Sequence, residues 1–302
     1  MPSSLSLSAV DARMLRACSS ATSAEKTSAE NNIVKAIEHH LAAGGSRVRA
    51  NFSLEASRRL GVDAEDAITL ATICELLHNA SLIHDDLLDR APMRRGLASV
   101  WADFSDSTAV CAGDLLLSNA FALVGEIRSI EFLPKILALV HQRTREVILG
   151  QDAEQSSAPC SMATYEVMAA GKSASLLSLP FELSLLLSGN AKFLPQAQRA
   201  SQAFAVSYQM LDDIHDYAED RRNGSLNAVS VAMTEGSTDY AVARAFVCSR
   251  ADALIESSLE DAAGLPMGSG AAMIVYAQTM RVALRTVQEP ATNTLEPSRH
   301  AG

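Results

Sequence analysis

Aromatic side chains are scarce in this chain: one Trp, five Tyr and eight Phe among 302 residues. Strand signals are few, and Ala, Leu and Ser dominate, so the composition favours helices. The five cysteines (Cys18, Cys74, Cys111, Cys160 and Cys248) are odd in number, scattered and without metal-ligand spacing. They exclude a disulfide framework and a zinc site, and read as ordinary thiols in a reducing, cytoplasmic compartment. No apolar stretch reaches about 18 residues free of polar groups, so no membrane span is expected. Positive charge is also in deficit. Lys and Arg number 25 against 35 Asp and Glu, a net charge of −10. That excludes a general nucleic-acid partner and leaves room for a local basic pocket that takes an anion. Residues 1 to about 28 are rich in Ser and Ala and lack an apolar signal core. Asp11 and Glu25 count against a transit peptide, so a loose N-terminal segment is expected.

What is present is a succession of apolar segments at helical spacing. From Asp63 to Asp89 there is no Pro or Gly, and Ile68, Ala71, Leu76, Ala80, Ile83 and Leu87 mark one long helix. Pro92 ends it, and Arg94-Arg95-Gly96 follows in a loop. Further helices are expected over Val110–Ile127, Ile130–Gly150, Met162–Leu187 and Gln196–Arg222. Gly171 and Pro180 predict kinks in the fourth of these five, and Asn223-Gly224 stops the last. Residues 151–161 read as a polar link, and the end, about 290–302, as a tail. With 48% hydrophobic residues, the expectation is all-α: one domain over 1–302, a bundle of ten or so helices around a central cavity.

Two acidic clusters carry the chemistry. Asp85-Asp86-Leu87-Leu88-Asp89 and Asp212-Asp213-Ile214-His215-Asp216 each place aspartates at i and i+4 within apolar sequence. On a helix that spacing puts two carboxylates on one face, one turn apart. One such cluster is as well explained by a solvated helix face. Two of them, each in an apolar run, point to a hard divalent cation shared with phosphate oxygens. The glycine-containing loop of a calcium site is missing, and the absence of Glu disfavours a di-iron bundle.

Basic residues narrow the ligand. Arg94-Arg95, Gly44-Gly45-Ser46-Arg47-Val48-Arg49 and Gly171-Lys172-Ser173 accompany the clusters. Any one alone reads as surface charge; together with the aspartates they point to diphosphate binding. His78 stands two turns before Asp85 on the same helical face. His84 and His215 lie at other angles and read as structural.

These residues together resemble the trans-isoprenyl diphosphate synthases, or polyprenyl synthetases, from about Gly44 to Gly224. Glu75 to Asp89 is similar to the family's first aspartate-rich motif with its upstream His, and Arg94-Arg95-Gly96 to the arginines that follow it. Ala112-Gly113-Asp114 resembles a motif on the next helix, and Gly171-Lys172-Ser173-Ala174 the Gly-Lys-Thr-Ala segment. Tyr208-Gln209-Met210-Leu211-Asp212-Asp213 resembles the Phe-Gln-x-x-Asp-Asp signature. The resemblance implies an enzyme that joins an allylic diphosphate to isopentenyl diphosphate, working as a homodimer. Three Mg²⁺ ions would be held by Asp85 and Asp89 on one side and Asp212 on the other, with Asp86, Asp213 and Asp216 supporting. Arg94, Lys172, Ser173 and Gln209 would meet the allylic diphosphate. Ser46, Arg49, His78 and Arg95 match the site of the second diphosphate. Lys172, Ser173 and Gln209 would also steady the allylic cation, as dipoles aimed at developing charge.

Two departures touch the cations. Ser46 stands where the family has Lys, and no Lys follows Lys192. Arg221, Arg222 and Asn227 lie near the second loss. A terpene cyclase or a prenyltransferase of altered regiochemistry is therefore the runner-up, and a non-catalytic partner subunit of a synthase the reading from another class. The growing chain would pass Ser81, Ala80 and Leu77, with Phe121 on the next helix. The small side chains at the first two positions imply a product of about twenty carbons or more.

Overall fold

The computed structural model describes residues 5–19, 28–156 and 161–288 of the chain. Cys160 and the expected C-terminal tail lie outside them. Twelve α-helices are present among the described residues. Leu7–Cys18 forms α1, Ser28–Ala42 α2, Val48–Leu60 α3 and Ala64–Leu88 α4. A hairpin of β1 (Met93–Arg94) and β2 (Leu97–Ala98) follows, then α5 (Val100–Asp103), α6 (Asp106–Val124) and α7 (Leu133–Ser156). The second half holds α8 (Met162–Leu187), α9 (Leu194–Asn223), α10 (Ala228–Gly236), α11 (Tyr240–Ala263) and α12 (Ala271–Gln288).

The all-α expectation holds, and local chemistry sets the ends. Asp63 caps α4 by accepting from the Glu65 and Asp66 N–H groups, and those two acids also suit the positive end of the helix dipole. Gly224, at φ 71°, closes α9 in the left-handed conformation. Three details differ from the sequence reading. The Arg94-Arg95-Gly96 loop is a hairpin, because Arg95 and Gly96 both take positive φ (53° and 84°), as a tight two-residue turn requires. Helix α7 runs on to Ser156, since nothing between Gly150 and there breaks it. The N-terminal segment, expected to be loose, contains α1, whose Val10, Met14 and Cys18 are buried.

Helix α8 is the wall between two hydrophobic clusters. Leu176, Leu179, Leu183 and Leu186, spaced by three and four, join the cluster of α4, α6 and α7. Leu177, Phe181 and Leu185, spaced by four, join the cluster of α3, α9, α11 and α12. A helix apolar on opposite faces has to be buried between layers. It carries Gly171 and Pro180 within one continuous helix. A buried ion pair ties it to its neighbours. Arg143 of α7 grips Glu182 of α8 through Nε and Nη2, at 2.7 and 2.6 Å. Gln198 of α9 and Ser178 donate to the same carboxylate, so the buried charges are paired and hydrogen-bonded. Among the described residues, α6 is long and apolar enough to cross a membrane, but it packs along α4 and buries Ala109, Ala112 and Leu116.

Candidate active site

The C-terminal turns of α4 separate the first three aspartates by angle. Asp85 lines an apolar cavity of about 320 Å³, and Asp89 caps the helix at its exposed end. Asp86, rotated inward, is 1% exposed and lies under the hairpin. Arg94 grips it, with Nε at 2.9 Å and Nη2 at 2.5 Å from Oδ1. That charge pair seats the hairpin on α4.

The second cluster divides the same way. Asp212 and Asp216 are exposed, one turn apart on α9. Although the residue is exposed, partial desolvation of its carboxyl, and then the neighbouring Asp216 and Asp220 charges, raise Asp212 above the usual range. Asp213 is buried and accepts from the Tyr165 hydroxyl (2.8 Å), Gln209 Nε2 (2.8 Å) and the Ala228 N–H (2.6 Å). Burial pushes it up to about 6, against the pull of those donors. Asn227, buried behind it, caps α10 and donates to the Asp213 carbonyl and to Asp220. Arg222 turns back to the Ala218 carbonyl of its own helix.

Among the described residues no group of three or more His, Cys, Asp or Glu converges tightly enough to hold a metal ion alone. The donor set nevertheless fits Mg²⁺. Each helix offers paired hard oxygens, Asp85 and Asp89 at the end of α4 and Asp212 and Asp216 on α9. Mg²⁺ is commonly held by one or two carboxylates plus substrate phosphates, without an all-protein cage.

A cation cluster adjoins α4. Arg47, Arg49 and Arg95 surround buried Glu75, which accepts the Ala50 N–H, and their charges also act on His40 and His78. Arg49 Nε is shut off from solvent with no hydrogen-bond partner. Burial lowers the Arg49 guanidinium, and lowers His78 well below its ordinary value, with Arg49 and Arg95 adding to the effect on His78. Arg95 Nη1 donates to the Gly44 carbonyl. A Cβ on Gly45 would lie 2.5 Å from the same guanidinium, at φ +143°, which requires glycine there. Ser46 is exposed. Burial raises the Tyr208 hydroxyl on α9; Asp212 adds to that and Arg49 opposes it.

His40 makes the cluster a source of acid sensitivity. It is buried and donates from Nε2 to Asn79 Oδ1 at 3.1 Å. Burial, with Arg94, Arg95 and Arg47 adding to it, depresses its pKa from 6.5 to about 4. The unfolded chain therefore takes up this proton first. The stability His40 confers is complete above about pH 6.5 and is lost as pH falls toward 4, on the order of 3 kcal/mol. Urea unfolding at pH 7.5 and pH 4.5, compared between the parent and His40→Gln, separates this contribution from those of His78 and Asp213: the variant should lose less stability on acidification than the parent.

Helix spacing explains a motif whose role the sequence leaves open. The His84 ring lies over Gly113, where a Cβ would meet Nε2 at 2.1 Å, and Asp114 Oδ1 is 3.6 Å from the same nitrogen. Gly113→Ala should destabilise the fold by about 1–3 kcal/mol through overpacking. Adding His84→Ala should recover most of that loss in thermal unfolding.

The chain-length residues are only partly in the cavity. Leu77 and Ser81 line it; Ala80 and Phe121 do not. Ala80 is fully buried in the packing around α4, and Phe121 packs against the same cluster. The wall comes instead from Leu117 of α6, Thr144 and Val147 of α7, and Leu176 of α8. Their apolar spacing was readable, but which helices enclose the space was not. Ser173 is half-buried on α8. The side chain of Lys172 lies outside the described residues.

A family model described as Polyprenyl synthetase matches residues 30–255. Octaprenyl diphosphate synthase of Haemophilus influenzae is 31% identical over 179 residues, 58% of this chain and 53% of that protein. A (2E,6E)-farnesyl diphosphate synthase of Mycobacterium bovis is 33% identical over 174 residues, 56% of this chain and 48% of its own length. The chain thus spans about half the length of these curated relatives. Among solved structures, geranylgeranyl pyrophosphate synthetase of Geoglobus acetivorans superposes with a TM-score of 0.78 at 21% identity, covering 90% of this chain and 96% of that one. A decaprenyl diphosphate synthase of Rhodobacter capsulatus gives 0.72 at 22% identity, covering 94% and 96%. At those identities the likeness is one of fold.

Proposed function

The chain belongs to the polyprenyl synthetase family, and from that premise we propose that it is a Mg²⁺-dependent prenyltransferase. It would condense an allylic diphosphate with isopentenyl diphosphate and release diphosphate. The observation that carries this reading is an apolar cavity with Asp85 in its wall, on the same helix, α4, that carries Glu75 and His78 of the cation cluster.

Asp85, Asp89, Asp212 and Asp216 are the residues that would hold Mg²⁺, which supplies Lewis-acid stabilisation of charge on the leaving diphosphate. Arg94 keeps Asp86 neutralised with Nε and Nη2 and leaves Nη1 for a phosphate oxygen. Arg49, Arg95 and His78 receive the second diphosphate and fix its double bond against the allylic carbon, turning a bimolecular encounter into a positioned one. The allylic C–O bond breaks, a C–C bond forms to the isopentenyl double bond, and one proton is lost. Gln209 gives Nε2 to Asp213 and keeps Oε1 for the allylic cation. Leu117, Val147 and Leu176 exclude water from that cation. With Ser81 in the wall, the reading is a product of about twenty carbons or more.

Incubation with labelled isopentenyl diphosphate, Mg²⁺ and ten-, fifteen- and twenty-carbon primers tests the proposal. Longer diphosphates are expected. A hydrocarbon product would instead favour cyclisation, and no turnover with any primer would overturn the enzymatic reading.

A further inference from the structure

We infer that Asp11 on α1 sets the anion affinity of the cation cluster, by holding the guanidinium of Arg47 that substitutes for the cation absent at Ser46. The inference rests on the reading that this cluster receives a diphosphate.

The geometry is specific. Arg47 Nε lies 2.9 Å from Asp11 Oδ1, and Nη1 lies 4.0 Å from Glu75 Oε2. The side chain is only 12% exposed, so it is packed into the cluster and not waving in solvent. Its Nη1 approaches Glu75, the buried carboxylate whose charge also acts on Arg49 and Arg95. Among the described residues, Nε is spent at hydrogen-bond distance on Asp11; the planar fork at the other end suits phosphate oxygens.

The backbone agrees. Arg47 takes φ 49° and ψ 37° at the start of α3, a left-handed conformation that a side chain adopts at a cost. It gives α3 no side-chain cap in return. Strained non-glycine residues of this kind gather at ligand clamps.

Asp11 is a positioned carboxylate. Val10 beside it packs with Ala50 and Leu54 of α3. Arg13, two residues on, pairs with Glu65 at 3.4 Å and Glu126 at 2.5 Å. Helix α1 therefore presents Asp11 to Arg47 at a fixed place. The Asp11 charge offsets part of the guanidinium's charge while leaving its terminal fork open, so neutralising Asp11 should strengthen anion binding.

Calorimetric titration of inorganic diphosphate into metal-free protein, with EDTA present, isolates the cluster from the aspartate site. Asp11→Asn should bind three- to tenfold more tightly than the parent, and Arg47→Gln roughly tenfold more weakly. In an Arg47→Gln background, Asp11→Asn should change nothing. Ser46→Lys should restore binding to Arg47→Gln, a rescue that a folding defect would not give; circular dichroism confirms each fold. Equal affinity of Asp11→Asn and parent overturns the inference. So does tightening that persists without Arg47, or a folded Arg47→Gln that Ser46→Lys does not rescue. If the chain turns over no primer at all, the elongation reading fails while this comparison remains decisive.

Discussion

Asp212→Ala is expected to lower prenyl transfer at least about a thousandfold, on the order of 4 kcal/mol of transition-state stabilisation, with little effect on unfolding. Its neighbour should behave oppositely. Asp213→Ala strips partners from the buried Tyr165 hydroxyl and the Ala228 N–H, at a cost of about 2–4 kcal/mol in stability. The two are adjacent in sequence and both acidic, and a helical step of roughly 100° separates them. Asp212 faces outward beside Asp216, and Asp213 faces Tyr165 and the start of α10. Measuring the Mg²⁺ dependence of turnover alongside thermal unfolding for both variants separates the roles. Equal loss of stability in the two variants would contradict them.

Product length should respond to Ser81 and not to Ala80. Ser81→Phe puts a ring into the cavity four residues from Asp85, and should shorten the product by at least one five-carbon unit. Ala80→Phe enters a fully buried position outside that wall. It should instead cost about 1–3 kcal/mol of stability by overpacking. Chromatography of the dephosphorylated products, with a melting curve for each variant, distinguishes the two effects. A shortened product from a stable Ala80→Phe protein would show that the chain runs on the other face of α4.

Much of the helix plan could be read in advance, because it depends on spacing within single segments. The run from Asp63 to Asp89 became α4, and Asn223-Gly224 closed α9. Signals of weaker periodicity misled. Ser and Ala near the N-terminus suggested a loose segment, yet three side chains of α1 are buried. The link after Gly150 looked polar, yet α7 continues through Ser156, since polarity alone does not stop a helix.

The candidate site divides along the same line. The i, i+4 aspartates, the paired arginines and the glycines beside them are local patterns, and they point to metal and diphosphate chemistry without coordinates. Contacts between segments distant in the chain are a different matter. That Arg94 is committed to Asp86, that Asp11 holds Arg47 from 36 residues away, and that Gly113 makes room for His84 depend on how helices pack.

Residue order was enough for a mainly helical chain, its two acidic helices and the family to which they belong, because periodicity and spacing act within one helix. Which aspartate of each pair is buried, which arginine is tethered and which side chains wall the cavity came from the packing of the fold. Those outcomes depend on the rotation and approach of whole helices, and no local spacing encodes them.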